Sequence, residues 1–516
     1  MRSCGVRKTP PSPQATSLSS FAFSYRLSTI DFPQKGPPMI KELPNQAYFA
    51  DGWQTTGKTF TVTHPGDGHI VGEVADCGPA EARRAIEAAL EAFETWKRTN
   101  PYARAEILER WNDLLLAHEA ELGRLMSLEM GKPITESRGE VKYSASFVKW
   151  YAQEAVRLHG ERVLSRFDHK RGLVSYEPVG VVYAVTPWNF PTGMITRKAA
   201  PALAAGCAIV IKPAEQSPMS ALYLARLWEE AGGPKGTLQV LPTSDPVAFS
   251  QPFFEDERVR KVTFTGSTEV GRVLYAQAAK TLKRVSLELG GHAPFLVFED
   301  ADLDKAARDV VLSKFRNAGQ TCICTNRVFV QESVLEPFTE AFAAATAALR
   351  LGDPLLPETQ VGPVVDAQGL AKVREHVEDA LAKGAKAVVG GKVREGLYFE
   401  PTVLSGVRPG MKIMTEETFG PVAPVIPFTT EEEALRLAND TPYGLAAYAW
   451  TNNLARAWRV AEGLHYGIVG INDAIPTAMA PQAPFGGMKN SGVGREGGWW
   501  GLEEYLEAKF ISMGLQ

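Results

Sequence analysis

The chain has 516 residues, room for about three domains at roughly 150 residues each and for a large buried core. Its 55 basic and 59 acidic side chains leave a net charge of −4, with 45% of residues hydrophobic and 22% charged, which excludes a disordered or collagenous chain and offers a nucleic acid no basic surface. No apolar run reaches the ~20 residues of a membrane span, so no membrane partner is expected, and five cysteines in so long a chain indicate a reducing, cytoplasmic setting, not a disulfide framework.

Residues 1–38 are rich in Ser and Pro, carry Arg2, Arg7, Lys8, Arg26 and Lys35, and have one acid, Asp31. They are expected to be a disordered tail or the product of a start site set too far upstream of Met39. A transit peptide is the alternative, and would place the protein in the mitochondrial matrix. From 79 to 97 the residues Ala82, Ile86, Ala89, Leu90 and Phe93 share one helical face, and 101–130 repeats the habit. Residues 162–178 form two extended pieces around the polar turn 168–171, a hairpin leaving the globular body.

Four short β-branched runs follow, at 180–185, 208–211, 237–241 and 261–264, with a helix at 219–231 between two of them. Strands alternating with helices predict βαβ units and a parallel sheet. After the first strand comes TPWNFP, which fixes Asn189 between aromatic rings and prolines. An amide so held is suited to donate to a developing oxyanion, or it is an asparagine in a turn. The second strand ends in KPAEQSP, which sets Lys212 and Glu215 at the carboxyl edge of the sheet, where α/β folds bind ligands. They serve ribose or phosphate there, or form a solvated pair. The fourth runs into FTGSTEVG, a Gly-Ser turn and helix start whose backbone N–H groups favour an anion. Arg272 follows its last glycine, so it is no P-loop.

A second alternating stretch begins near Leu287, with strands at 294–298, 327–331 and 387–389 and helices at 334–349 and 367–383. LELGG places one carboxylate, Glu288, in an apolar setting. Desolvation raises a carboxyl pKa toward neutrality, as a general base requires; the alternative is an ion-paired strand end. In FRNAGQTCICTNR two cysteines, Cys322 and Cys324, sit within three residues of each other on a small polar segment. They are either inert packing or an exposed nucleophile. C-x-C without a second pair or a nearby His does not make a zinc site, so no metal is expected.

Taken together, TPWNFP, KPAEQSP, FTGSTEVG, LELGGHAPF, NAGQTC, EETFGPV and PFGGMKNSG, in this order from about residue 45 to the C-terminus, resemble the aldehyde dehydrogenase superfamily. The resemblance implies an α/β fold with a Rossmann-like NAD-binding domain (39–160 and 181–287, with 469–498), a second α/β catalytic domain (288–468) and a small β oligomerisation arm (161–180 and 499–516). Motif by motif it implies Cys322 as nucleophile, Glu288 as base and Asn189 as oxyanion donor. It puts Trp188, Lys212, Glu215, Gly266, Ser267, Glu417 and Phe419 around an NAD cofactor, with NADP as the alternative, and a homodimer or homotetramer in solution.

Within the superfamily, MITRKAAPALAAGC, SKFRNAGQTCICTNR and SGVGREGG are similar to the succinate-semialdehyde dehydrogenases. That likeness implies a small-molecule aldehyde substrate whose far carboxylate is held by Arg197 and Arg316. The stretch 472–484 is two residues longer than in that branch, so Thr477 is assigned the hydroxyl contact, and glutarate semialdehyde or an aliphatic aldehyde stay as alternatives. The likeness also implies a reversible disulfide from Cys322 to Cys324, across a loop so short that it would be strained. A non-catalytic member of the superfamily is the contrasting expectation.

Overall fold

A computed structural model describes residues 43–477 and 481–515; the expectations for residues 1–38 lie outside them. The described chain contains two large sheets within one compact unit. In the first, five parallel strands lie in the order Arg284–Glu288, Val259–Thr265, Val181–Val185, Ala208–Lys212, Leu238–Val240. The antiparallel pieces Gly492–Val493 at one edge and Ala47–Phe49 with Gly52–Gln54 at the other complete it. These strands are nearly continuous apolar runs, because helices cover both faces of a parallel sheet. The chain winds one way from Val181–Val185 to Leu238–Val240, then returns to the other side of Val181–Val185. The switch point lies between that strand and Val259–Thr265, and the loops leaving their carboxyl ends carry Trp188, Asn189, Gly266 and Ser267.

The second sheet runs Lys386–Val389, Thr402–Ser405, Val422–Phe428, Thr325–Gln331, Ala293–Val297, Ala446–Trp450, Ile468–Ile471. It is parallel except for its first strand. Here the structure corrects one boundary. The segment 469–498 does not belong wholly with the first sheet: Ile468–Ile471 pairs in parallel with Ala446–Trp450, and only Gly492–Val493 joins the first sheet, beside Glu288. Ile468–Ile471 is apolar on both faces but is only four residues long, so its sheet is chosen by its neighbour and not by its own pattern.

The expected helix over 101–130 is two, Pro101–Ala117 and Glu119–Met130, broken at His118. A third helix, Ile134–Ala155, packs against both. Trp228 sits between Trp96 and Trp111 in edge contacts with centroids at 6.3 and 5.3 Å. The hairpin expected at 162–178 is present as Glu161–Val163 and Lys170–Pro178. Its free edge pairs with Leu506–Gly514 over nine residues to make a separate three-stranded sheet. That sheet exposes Leu173, Phe510 and Met513, and the turn between its first two strands exposes Leu164 and Phe167. Among the described residues no helix is long and apolar enough to cross a membrane.

Candidate active site

The loop that carries Cys322 is an unusual piece of backbone. Between the helix Leu303–Phe315 and the strand Thr325–Gln331 the chain passes through Asn317 and Ala318, both left-handed at φ 50° and 54°. Each is costly for a residue with a Cβ, and such strain persists only where the surroundings enforce it. They do so through hydrogen bonds. Glu136 Oε2 accepts from the Asn317 N–H at 2.9 Å, and Asn317 Nδ2 donates to the carbonyls of Asn189 and Gln320, both at 3.2 Å. The Gln320 side chain donates to Asn317 O at 3.0 Å and accepts from Val365 N at 2.9 Å. Gly291 faces this loop so closely that a Cβ would lie 2.5 Å from the Cys322 carbonyl oxygen, which is the physical content of the second glycine in LELGG.

Cys322 is half-buried and lines two cavities, one of about 240 Å³ and one of about 700 Å³. Burial pushes its thiol up to about 12, reinforced by the carboxylates of Glu417 and Glu288 and opposed by Arg197. The thiol is therefore protonated at rest and needs a proton acceptor to become a nucleophile. Glu288 is the end residue of Arg284–Glu288 and is 4% exposed. Burial, then the charge of Glu496, holds its carboxyl well above the usual carboxylate range against the pull of Arg197, Lys198 and Arg495. Its Oε2 has no hydrogen-bond partner among the described residues. Gly486 of PFGG leaves room for the carboxylate, since a Cβ there would be 2.8 Å from Glu288 Oε1. Asn189 Nδ2 donates to Gln320 O at 3.0 Å, which leaves its second N–H for another acceptor.

Cys324 sits apart from these. It is 1% exposed, its Sγ lies 3.2 Å from Gly319 O, and Lys314 Nζ is 3.8 Å away. All four described cysteines are unpaired.

The Asn189 loop is tied down by residues that the sequence reading passed over. Lys132 Nζ donates to Asn189 O at 2.7 Å and pairs with Glu140. Glu140 Oε1 accepts from the N–H groups of Thr192 and Gly193, each at 3.0 Å. Glu136 and Glu140 stand four apart on Ile134–Ala155, so the helical spacing that puts both on one face was a usable signal. Lys132→Ala leaves Glu140 buried without its cation. We expect a loss of about 3–5 kcal/mol in denaturant unfolding, with activity falling as Asn189 loses its tether.

The smaller cavity is lined by Arg197, Arg316 and Thr477, together with Glu136, Tyr143 and Phe485. The three substrate residues expected from sequence are thus brought together, but the two arginines are not equivalent. Arg197 is 2% exposed, lies 3.9 Å over the Phe485 ring and gives its Nε to Glu496 Oε2 at 2.7 Å; Glu496 also binds Lys198. Its charge is balanced within the protein by Glu496. Arg316 makes no ion pair among the described residues, and its buried Nε has no partner. Glu496 lies inside GREGG, a stretch that sequence reading used only as a likeness.

The larger cavity is lined by Trp188, Asn189, Gly266, Ser267, Glu417 and Phe419, and also by Gln216, Gln368 and Lys372. Ser267 caps the helix Thr268–Ala279, accepting from Val270 N at 3.3 Å, so the positive end of that helix opens on the cavity. Trp188 and Phe419 meet edge to face at 5.7 Å, and Glu417 Oε1 accepts from Gly291 N at 3.1 Å. Lys212 and Glu215 do not line this cavity; they pair with each other at 2.7 Å at the end of Ala208–Lys212. A helix N-terminus, an aromatic pair and a carboxylate around one space fit a dinucleotide with an apolar ring at the Cys322 end.

The Aldehyde dehydrogenase family profile matches residues 53–511. Glutarate-semialdehyde dehydrogenase of Pseudomonas putida is 48% identical over 468 residues, 90% of this chain and 97% of that one. Succinate-semialdehyde dehydrogenase [NADP(+)] GabD of Escherichia coli is 49% identical over 461 residues, 89% of this chain and 95% of that one. The crystal structure of succinate-semialdehyde dehydrogenase from Burkholderia pseudomallei superposes with a TM-score of 0.90 at 48% identity, covering 92% of this chain and 98% of that one. In sequence and fold alike, the chain belongs to the aldehyde dehydrogenase family, oxidoreductases that act on the aldehyde group.

Proposed function

We propose that the protein oxidises a carboxylate-bearing semialdehyde, succinate semialdehyde foremost, to the dicarboxylic acid with NAD. The observation that carries this reading is the unpaired guanidinium of Arg316 in the cavity that ends at Cys322. The side chain is only partly buried and makes no ion pair among the described residues, although it lies near enough to the Glu136 carboxyl of the same cavity to lower that group's pKa. A guanidinium left without an ion pair favours a ligand that brings one, and arginine binds a carboxylate through a two-pronged fork. Thr477 supplies a hydroxyl to the same end, and Arg197 forms the wall. Glutarate semialdehyde is the second reading, since Arg316 does not distinguish the two chain lengths and the Pseudomonas putida relative is named for it.

In this mechanism the Cys322 thiol gives its proton to solvent water in the cavity and adds to the aldehyde carbon, and the resulting oxyanion is held by the free N–H of Asn189 and the backbone N–H of Cys322. Trp188, Gly266, Ser267, Glu417 and Phe419 hold the nicotinamide cofactor, which when bound supplies the hydride acceptor. Glu288 then takes a proton from the water that attacks the Cys322 thioester, releasing the acid and restoring the thiol.

NAD is favoured over NADP on the reading that the adenosine end of the cofactor extends beyond the larger cavity to the end of Ala208–Lys212: there the charge of Glu215 repels a 2′-phosphate, and its ion pair with Lys212 keeps that ammonium from attracting one. Glu215→Ala is therefore expected to raise kcat/KM with NADP relative to NAD by about tenfold, read by absorbance with both cofactors. We assign the sheet of Leu506–Gly514 and Lys170–Pro178 to subunit assembly, because its exposed apolar side chains need a partner surface in a homodimer or homotetramer.

Arg316→Ala tests the substrate assignment. The expected result is a rise of at least about thirtyfold in KM for succinate semialdehyde, the scale of a lost charge-assisted bond, with a much smaller rise for hexanal. Equal losses on both substrates would remove the carboxylate clamp.

A further inference from the structure

We infer that His376 is a positioning residue for the cofactor: it braces the segment that presents Glu417 and Phe419 to the larger cavity. The inference rests on the reading of that cavity as a nicotinamide cofactor site.

His376 lies on the helix Ala367–Ala382 and is fully buried. Its Nε2 is 3.2 Å from Glu416 Oε2 and its Nδ1 is 3.1 Å from Thr418 Oγ1. Those two residues flank Glu417, and all three line the cavity with Phe419. One ring thus bridges both neighbours of the carboxylate assigned to the cofactor.

The segment needs such a brace. Phe419 is left-handed at φ 52°, a strained conformation for an aromatic residue. Its seat on the helix is close: a Cβ on Gly420 would meet Val373 Cγ2 at 2.2 Å. The same helix lines the cavity with Gln368, Lys372 and Glu375. Displacement of His376 would therefore disturb two walls of one site.

The chemistry of the bridge selects histidine. Burial, helped by Lys372, lowers the pKa of the ring against the pull of Glu416 and Glu375, so the imidazole is neutral. A neutral imidazole has one donor and one acceptor. Nε2–H donates to the Glu416 carboxylate, and Nδ1 accepts from the Thr418 hydroxyl. Each contact uses the one role available, and Glu417 is left free to accept from Gly291 N.

NADH fluorescence titration of the full chain tests this. His376→Leu, which fills the space but makes neither bond, is expected to weaken NADH binding about tenfold, the scale of one to two lost hydrogen bonds. Its KM for NAD should rise well beyond its KM for the aldehyde. His376→Gln places an amide near Nε2 and should recover binding to within about threefold of wild type. An unchanged Kd in His376→Leu overturns the assignment, and so do equal losses in the two variants. If His376→Leu does not fold, Thr418→Val removes the hydroxyl arm alone: a Kd raised at least threefold supports the brace, and an unchanged Kd overturns it. A wild-type protein that binds no NADH would instead overturn the reading of the cavity itself.

Discussion

Cys322→Ala is expected to lower NADH production at least about a thousandfold, since removal of a covalent nucleophile leaves only the rate supplied by binding and oxyanion stabilisation. Cys324→Ala, two residues on, is expected to keep most of the activity. The structure gives the reason for the contrast. Cys322 faces both cavities, whereas Cys324 is 1% exposed with its sulfur against Gly319 O. Stopped-flow absorbance at a saturating aldehyde concentration measures both. A silent Cys324→Ala with an active Cys322→Ala would transfer the nucleophile to the other sulfur. The disulfide between the two is a separate matter, because both thiols are free and Cys324 is buried. Mass spectrometry after mild peroxide treatment tests that pairing.

Glu288→Gln is expected to lower steady-state turnover by about 10²–10⁴, the usual contribution of a general base. The first turnover should survive as a burst of one equivalent of NADH, because the amide cannot deprotonate the hydrolytic water but does not block thiol addition. A missing burst would move Glu288 to the earlier step, the deprotonation of Cys322. The pH dependence has a definite sign. The carboxyl titrates well above the usual carboxylate range because burial and Glu496 disfavour its charge, and only the ionised form accepts a proton. Turnover limited by hydrolysis should therefore rise with pH through that raised pKa, and the rise should disappear in Glu288→Gln. A profile identical in both proteins would assign the limb to another group.

Much of the architecture was readable as local pattern. The strand run at 208–211 became Ala208–Lys212, the helix at 219–231 became Pro218–Glu230, and 367–383 became Ala367–Ala382. Other elements were hidden for stated reasons. Val422–Phe428 holds Pro424 and Pro427, which argue against a central strand, yet it lies between two parallel neighbours. Ala446–Trp450, sequence AAYAW, has no β-branched residue, and burial on both sides overrides its weak propensity. At the site, motifs located Cys322, Glu288 and Asn189 because each sits in a short segment of special backbone chemistry. Lys132 and Glu496 carry no such local mark and Glu140 only its helical spacing from Glu136, and all three act through contacts with distant segments.

The sequence alone determined the alternation of strand and helix and the order of the motifs that carry Asn189, Glu288 and Cys322, since periodicity and turn chemistry are properties of neighbouring residues. Only the tertiary structure decided which charges remain available. Arg197 and Glu496 are 299 positions apart in the chain and bonded in the fold, while Arg316 is left without an ion-pair partner among the described residues. A charge is neutralised or left free by what packs against it, and that is settled by long-range contacts that no window of sequence contains.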